Sequence, residues 1–78
     1  MNISEKDLNL FVEYSLKYLL SSGDDINFFK EFVNENKLPK STYNLILKYL
    51  EKGIYNNKMK VNKNEYIAFR NEIQQKLK

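Results

Sequence analysis

Seventy-eight residues, 42% hydrophobic and 29% charged, read as one small globular domain over residues 1–78, able to bury only about 60–65% of its unfolded surface. The absence of cysteine and histidine excludes disulfides, thiolate and imidazole metal sites, and the commonest general base. The net charge of +3 is unevenly spread: residues 1–36 carry three basic residues against seven acidic ones, a net −4, and residues 37–78 carry ten against three, a net +7.

Ser4 followed by Asp7 resembles a capping box, so the first helix is expected to begin near Glu5. Leu8, Phe11, Val12, Leu16 and Leu19 recur at helical spacing as its core face, with Leu20 at the edge. Glu13 and Lys17 stand four apart on the opposite side in the favourable order. Leu10, Tyr14 and Tyr18 form a second ridge, either covered by later helices or left as an exposed contact surface. Gly23 is placed to stop the helix.

Asp24 or Asp25 caps a second, shorter helix whose Ile26, Phe29, Phe32 and Val33 face inward. It ends over Asn34 to Lys37, where Asn36 tolerates a left-handed backbone. The third helix begins near Pro39, the only proline, because a first turn has no use for the missing N–H. Its core stripe is Tyr43, Ile46, Leu47 and Leu50. Ser41, Asn44, Lys48, Glu51 and Lys52 take the solvent face, Leu45 and Tyr49 fall between, and Gly53 is expected to end the helix.

Residues 54–61 read as a connecting loop with a short extended piece at Met59 to Val61. Asn62 and Glu65 then open a last helix with Tyr66, Phe69, Ile73 and Leu77 inward. The fold expected is all-α, a compact four- or five-helix domain with the central helix packed between the first and the last. No apolar run approaches the roughly 20 residues that cross a bilayer, and MNISEKD lacks a signal-peptide layout. The chain therefore reads as cytoplasmic, and its Lys, Asn, Ile, Tyr and Phe bias suits an AT-rich genome.

Little in the sequence carries reaction chemistry. Gly23 and Gly53 stand alone, so no phosphate-cradling loop exists, and no residue is placed to activate a serine or Thr42 as a nucleophile. Asp24 and Asp25 are adjacent carboxylates without a third ligand and read as caps rather than a metal site. No enzyme, cofactor, metal or small-molecule substrate is expected.

The segment LPKST, followed by a periodic helix, resembles the second helix of helix-turn-helix and winged-helix regulators, with Phe29 to Val33 as the preceding helix. It departs from that pattern at Val33, Asn36, Lys37 and Leu45. The resemblance implies DNA binding: helix N-terminal N–H groups and hydroxyls on phosphate, with Asn44 or Lys48 at base edges.

A second resemblance spans residues 11–73. FVEYSLKY at Phe11 to Tyr18, LPK at Leu38 to Lys40, YLE at Tyr49 to Glu51, and Tyr66 with Phe69 are similar to the landmarks of YozE-like proteins, small chains of low-GC Gram-positive bacteria. Leu38 replaces the usual phenylalanine before the proline, and the final tryptophan is replaced. That resemblance implies a sterile-alpha-motif-like helical fold and no particular activity.

Two functional expectations follow. The first is a non-enzymatic regulator, of bacterial or mobile-element origin, working through a protein partner or self-association. Its contact surface is either the basic region around Lys58, Lys60, Lys63 and Arg70 or the ridge of Leu10, Tyr14 and Tyr18. The second is DNA binding through Lys40, Ser41, Thr42, Asn44 and Lys48. No membrane partner is expected.

Overall fold

The computed structural model describes residues 3–22, 25–55 and 63–78. Helix α1 runs Glu5–Ser22, and the Asp7 N–H donates to Ser4 Oγ at 3.1 Å, so one orphan donor of the first turn is met by the expected cap. Helix α2, Asn27–Glu35, is opened by Asp25, whose Oδ1 accepts from the Asn27 N–H at 2.9 Å. Helix α3 is Lys40–Tyr55, and the Pro39 carbonyl accepts its first hydrogen bonds, from Thr42 and Tyr43. Helix α4 is Lys63–Lys76. Among the described residues there is no strand.

Leu8, Val12 and Leu16 of α1, Phe29 and Val33 of α2, Ile46, Leu50 and Ile54 of α3, and Tyr66, Phe69 and Ile73 of α4 close one core, with Ile26 and Leu38 added from the connections. Helix α3 lies against both α1 and α4, as the sequence pattern predicts for a central helix. Contacts between α1 and α3 advance together along both helices: Asn9 meets Thr42, Glu13 meets Tyr49 and Leu20 meets Gly53. The two helices therefore run in the same direction, and α2 is the return segment between them. The Tyr66 hydroxyl, from a fully buried ring, donates to the Leu19 carbonyl at 3.2 Å and ties α4 to the end of α1. The radius of gyration is 11.8 Å, against about 11.5 Å for a compact chain of this length.

Several local readings are corrected. Gly53 does not end α3; it lies inside the helix, and Ile54, expected in the loop, is buried core. A Cβ at position 53 would sit 2.5 Å from Leu20 Cδ2, so glycine there accommodates the approach of α1 and does not serve a left-handed turn. Asn36 is extended, with φ −122° and ψ 141°; its Nδ2 donates to the Phe32 carbonyl at 2.8 Å and caps the helix through the side chain. Thr42 takes a core position expected of a larger apolar residue. Tyr43, Leu47, Leu45 and Tyr49 are all half-buried, because a stripe repeating every four residues, Thr42–Ile46–Leu50–Ile54, is the one that points inward. Phe11 is 49% exposed and lies outside the core. Glu13 faces α3 and not solvent alone. Gly23, Asp24, the Met59 to Val61 piece and the Asn62 cap lie outside the described residues. Among the described residues, no helix is long and apolar enough to cross a membrane.

Candidate interaction surface

Leu10, Tyr14 and Tyr18 are all exposed, and the two ends of the ridge border different depressions. Residues four apart on a helix advance by about 40° around its axis, so the row winds from the α3 side of α1 to the α2 side. Leu10 accordingly borders a shallow depression with Asn9, Ser41 and Leu45 between α1 and α3. Tyr18 instead borders a groove of about 270 Å³ between α1 and α2, lined by Phe11, Ser15, Leu19, Phe28, Phe29 and Phe32 as well.

The wall of that groove is largely aromatic. Phe11 of α1 meets Phe32 of α2 edge-on, with centroids 5.4 Å apart, and Phe29, at the groove floor, meets Phe69 of α4 edge-on at 5.9 Å. Phe28 is 84% exposed, Tyr14 66% and Tyr18 63%. Aromatic area of this size, held by packed neighbours and facing water, is the usual material of a contact surface. Phe28 is the residue that the sequence pattern leaves out. The signal was the Phe28–Phe29 pair itself: adjacent residues lie about 100° apart on a helix, so when Phe29 enters the core Phe28 is turned away from it.

Tyr14 and α1 are held in place by a polar seam with α3. The Thr42 hydroxyl donates to Asn9 Oδ1 at 2.6 Å, and the Tyr49 hydroxyl donates to the Glu13 carboxylate. Lys17 pairs with Glu13 at 3.7 Å and lies over the Tyr14 and Tyr49 rings at 5.9 and 6.0 Å, within cation–π range. The Tyr49 hydrogen bond is the chief reason the Glu13 carboxyl is held below its usual 4.5; partial burial opposes it, and Lys17 and Lys48 assist. The same bond pushes the Tyr49 phenol above 10. Each shift favours the carboxylate paired with a neutral phenol.

The residues expected to bind DNA are divided by the fold. Lys40, Ser41, Asn44 and Lys48 are exposed along one arc of α3, joined by Lys52 and Tyr55. Thr42 does not join them: it is fully buried, and its hydroxyl is committed to Asn9. Of the expected basic surface, Lys58 and Lys60 lie outside the described residues, while Lys63 and Arg70 are half-buried. Arg70 Nη2 donates to Asn71 Oδ1 at 3.2 Å.

Charges divide in the same way. Two ion pairs form among the described residues: Lys17–Glu13 and Lys30–Glu72, the latter at 3.9 Å between α2 and α4. Asp7, Asp25, Glu31 and Glu35 are exposed and enter neither pair. Among the described residues, no three His, Cys, Asp or Glu side chains gather as a metal site. Comparison with known proteins matches no family model, no curated protein and no solved structure.

Proposed function

We propose that this protein is a non-enzymatic regulatory module that acts by protein–protein contact, and that the aromatic face of α1 and α2 is its contact surface. The observation that carries this reading is Phe28, 84% exposed and continuous with Phe11 and Tyr18 around one groove. A small fold that holds so large an apolar side chain in water is best understood as keeping it for a partner. The lack of histidine and cysteine supports the non-enzymatic part of the reading. The sterile-alpha-motif-like likeness and an origin in a low-GC bacterium or mobile element rest on the residue resemblance described above.

A photo-crosslinking amino acid at position 28, with the same group at position 44 for comparison, tests this in the cell that produces the protein. Discrete protein adducts from position 28, and none from position 44, are expected. Adducts from position 44 alone would overturn the reading.

A second reading is favoured by one observation, the exposed arc of Lys40, Asn44, Lys48 and Lys52 on α3. That arc suits the phosphates of duplex DNA, without Thr42. Binding to duplex DNA that weakens steeply with salt and disappears in Lys48→Glu would support it; no binding at low salt would remove it.

A further inference from the structure

We propose, resting on the protein-contact reading above, that the groove between α1 and α2 receives a basic amphipathic helix of a partner protein. Three features lead to that occupant. First, the groove is walled by helices, and among the described residues there is no strand, so an incoming segment finds no sheet edge to pair with. It must satisfy its own backbone N–H and C=O groups, which a helix does.

Second, the anchors are spaced for a helix. Phe11, Ser15 and Tyr18 follow each other at four and three residues along α1, a span of about 10 Å. Phe28 and Phe32, four apart on α2, form the opposite wall. Such a trough accepts apolar side chains from about two successive turns of a partner helix.

Third, exposed acidic residues flank the groove aromatics along α1 and α2. Asp7 lies one turn before Phe11; Asp25 lies three residues before Phe28, Glu31 three after it, and Glu35 three after Phe32. All four are exposed. Of the lysines near these residues in sequence, Lys17 pairs with Glu13 on the α3 side and Lys30 with Glu72 of α4, Lys6 borders the α1–α3 depression, and Lys37 borders a separate depression with Ile3, Glu5 and Leu8. A partner helix carrying Lys or Arg beside its apolar stripe meets complementary charge, and an acidic one meets like charge at every turn.

The test uses the whole chain, which has no tryptophan, and three stapled helical peptides of roughly 15 residues. Each has the same Leu and Trp stripe, and the polar face is Lys, Gln or Glu. Peptide tryptophan fluorescence gives affinity, and backbone amide shifts of the labelled protein locate the site.

The Lys peptide is expected to bind at the α1–α2 groove, the Glu peptide not to bind, and the Lys affinity to fall as salt rises. Phe28→Ala should weaken binding by about tenfold or more. The double variant Glu31→Lys with Glu35→Lys should reverse the preference towards the Glu peptide, a reversal that simple loss of folding cannot produce.

Equal binding of all three peptides, with Phe28→Ala still weakening each, would overturn the basic class and leave the aromatic contact face standing. Binding unaffected by Phe28→Ala, with shifts centred on α3, would overturn both. Binding of none, or a concentration-dependent dimer abolished by Phe28→Ala, would overturn the partner-helix proposal; crosslinking from position 28 then decides the contact face separately.

Discussion

Gly53 offers the sharpest test of how α1 and α3 are joined. Replacing it with alanine has two opposing effects. Alanine in a helix interior is favoured over glycine by about 1 kcal/mol, because the unfolded chain loses freedom. Against that, the new methyl would stand 2.5 Å from Leu20 Cδ2 and 3.1 Å from both Cδ1 and Cγ. Turning the terminal methyls alone does not clear Cγ, so Leu20 must change rotamer or the helices must separate. Overpacking of this kind costs about 1–3 kcal/mol. The net expectation for Gly53→Ala is a loss of about 0–2 kcal/mol, and each kcal/mol lowers Tm by about 4–8 °C in a domain of this size. In a Leu20→Ala background the obstruction is gone, and the same change should raise Tm by about 4–8 °C. Four thermal melts complete the cycle, with an expected coupling of about 1–3 kcal/mol. An equal loss in both backgrounds would mean that position 53 needs glycine for its own backbone conformation, and an equal gain would mean that the helices do not approach. Either result refutes the contact.

Leu50→Ala, at a fully buried position, should cost about 2–5 kcal/mol, and Leu47→Ala, half-buried, distinctly less; denaturant midpoints that rank them the other way would displace the α3 stripe. Thr42→Val removes the hydroxyl bonded to Asn9 while keeping the volume, and should cost about 1 kcal/mol, whereas Thr42→Ser keeps the bond; equal melts for Thr42→Val and the parent would mean the bond contributes nothing. Tyr49→Phe removes the chief cause of the lowered Glu13 pKa. A lowered carboxyl pKa stabilises above the unfolded value of 4.5 and is lost as pH falls through the folded value, while the raised Tyr49 pKa stabilises below 10 and is lost as pH rises through its own folded value. The Tm deficit of Tyr49→Phe should therefore hold through neutral pH and narrow below 4.5; a deficit independent of pH would refute the linkage.

Features of the fold that depend on near neighbours were legible in the sequence. Ser4 and Asp7 are three residues apart, and their cap forms as read. The stripes of α1, α2 and α4 repeat with the helical period, so Leu8, Val12, Leu16, Ile26, Phe29, Val33, Tyr66, Phe69 and Ile73 could be assigned to the core. The misreadings depend on residues far along the chain. A lone glycine after a helical stripe is a good terminator in isolation, and only the arrival of Leu20 makes it a point of close approach. Thr42 looks like a surface hydroxyl until Asn9 supplies the acceptor that lets it be buried. In both cases the local pattern allowed two conformations, and packing between α1 and α3 chose one.

The candidate surface was legible in part for a related reason. Counting charges along the chain separates an acidic front from a basic rear, and packed helices of opposite sign could have cancelled one another. The pairs that form do the reverse. Lys17 and Lys30 are two of the three basic residues in the acidic half, and they are taken up by Glu13 and Glu72. Glu72 is likewise one of three acidic residues in the basic half. With Lys17 and Lys30 paired and Lys6 on the α1–α3 side, the exposed charge close in sequence to the groove aromatics is mainly acidic, at Asp7, Asp25, Glu31 and Glu35. Surface pairs of this kind contribute little to stability. On the partner-helix proposal their larger effect is on which partners the aromatic groove accepts, since a like-charged helix is repelled and an oppositely charged one is drawn in.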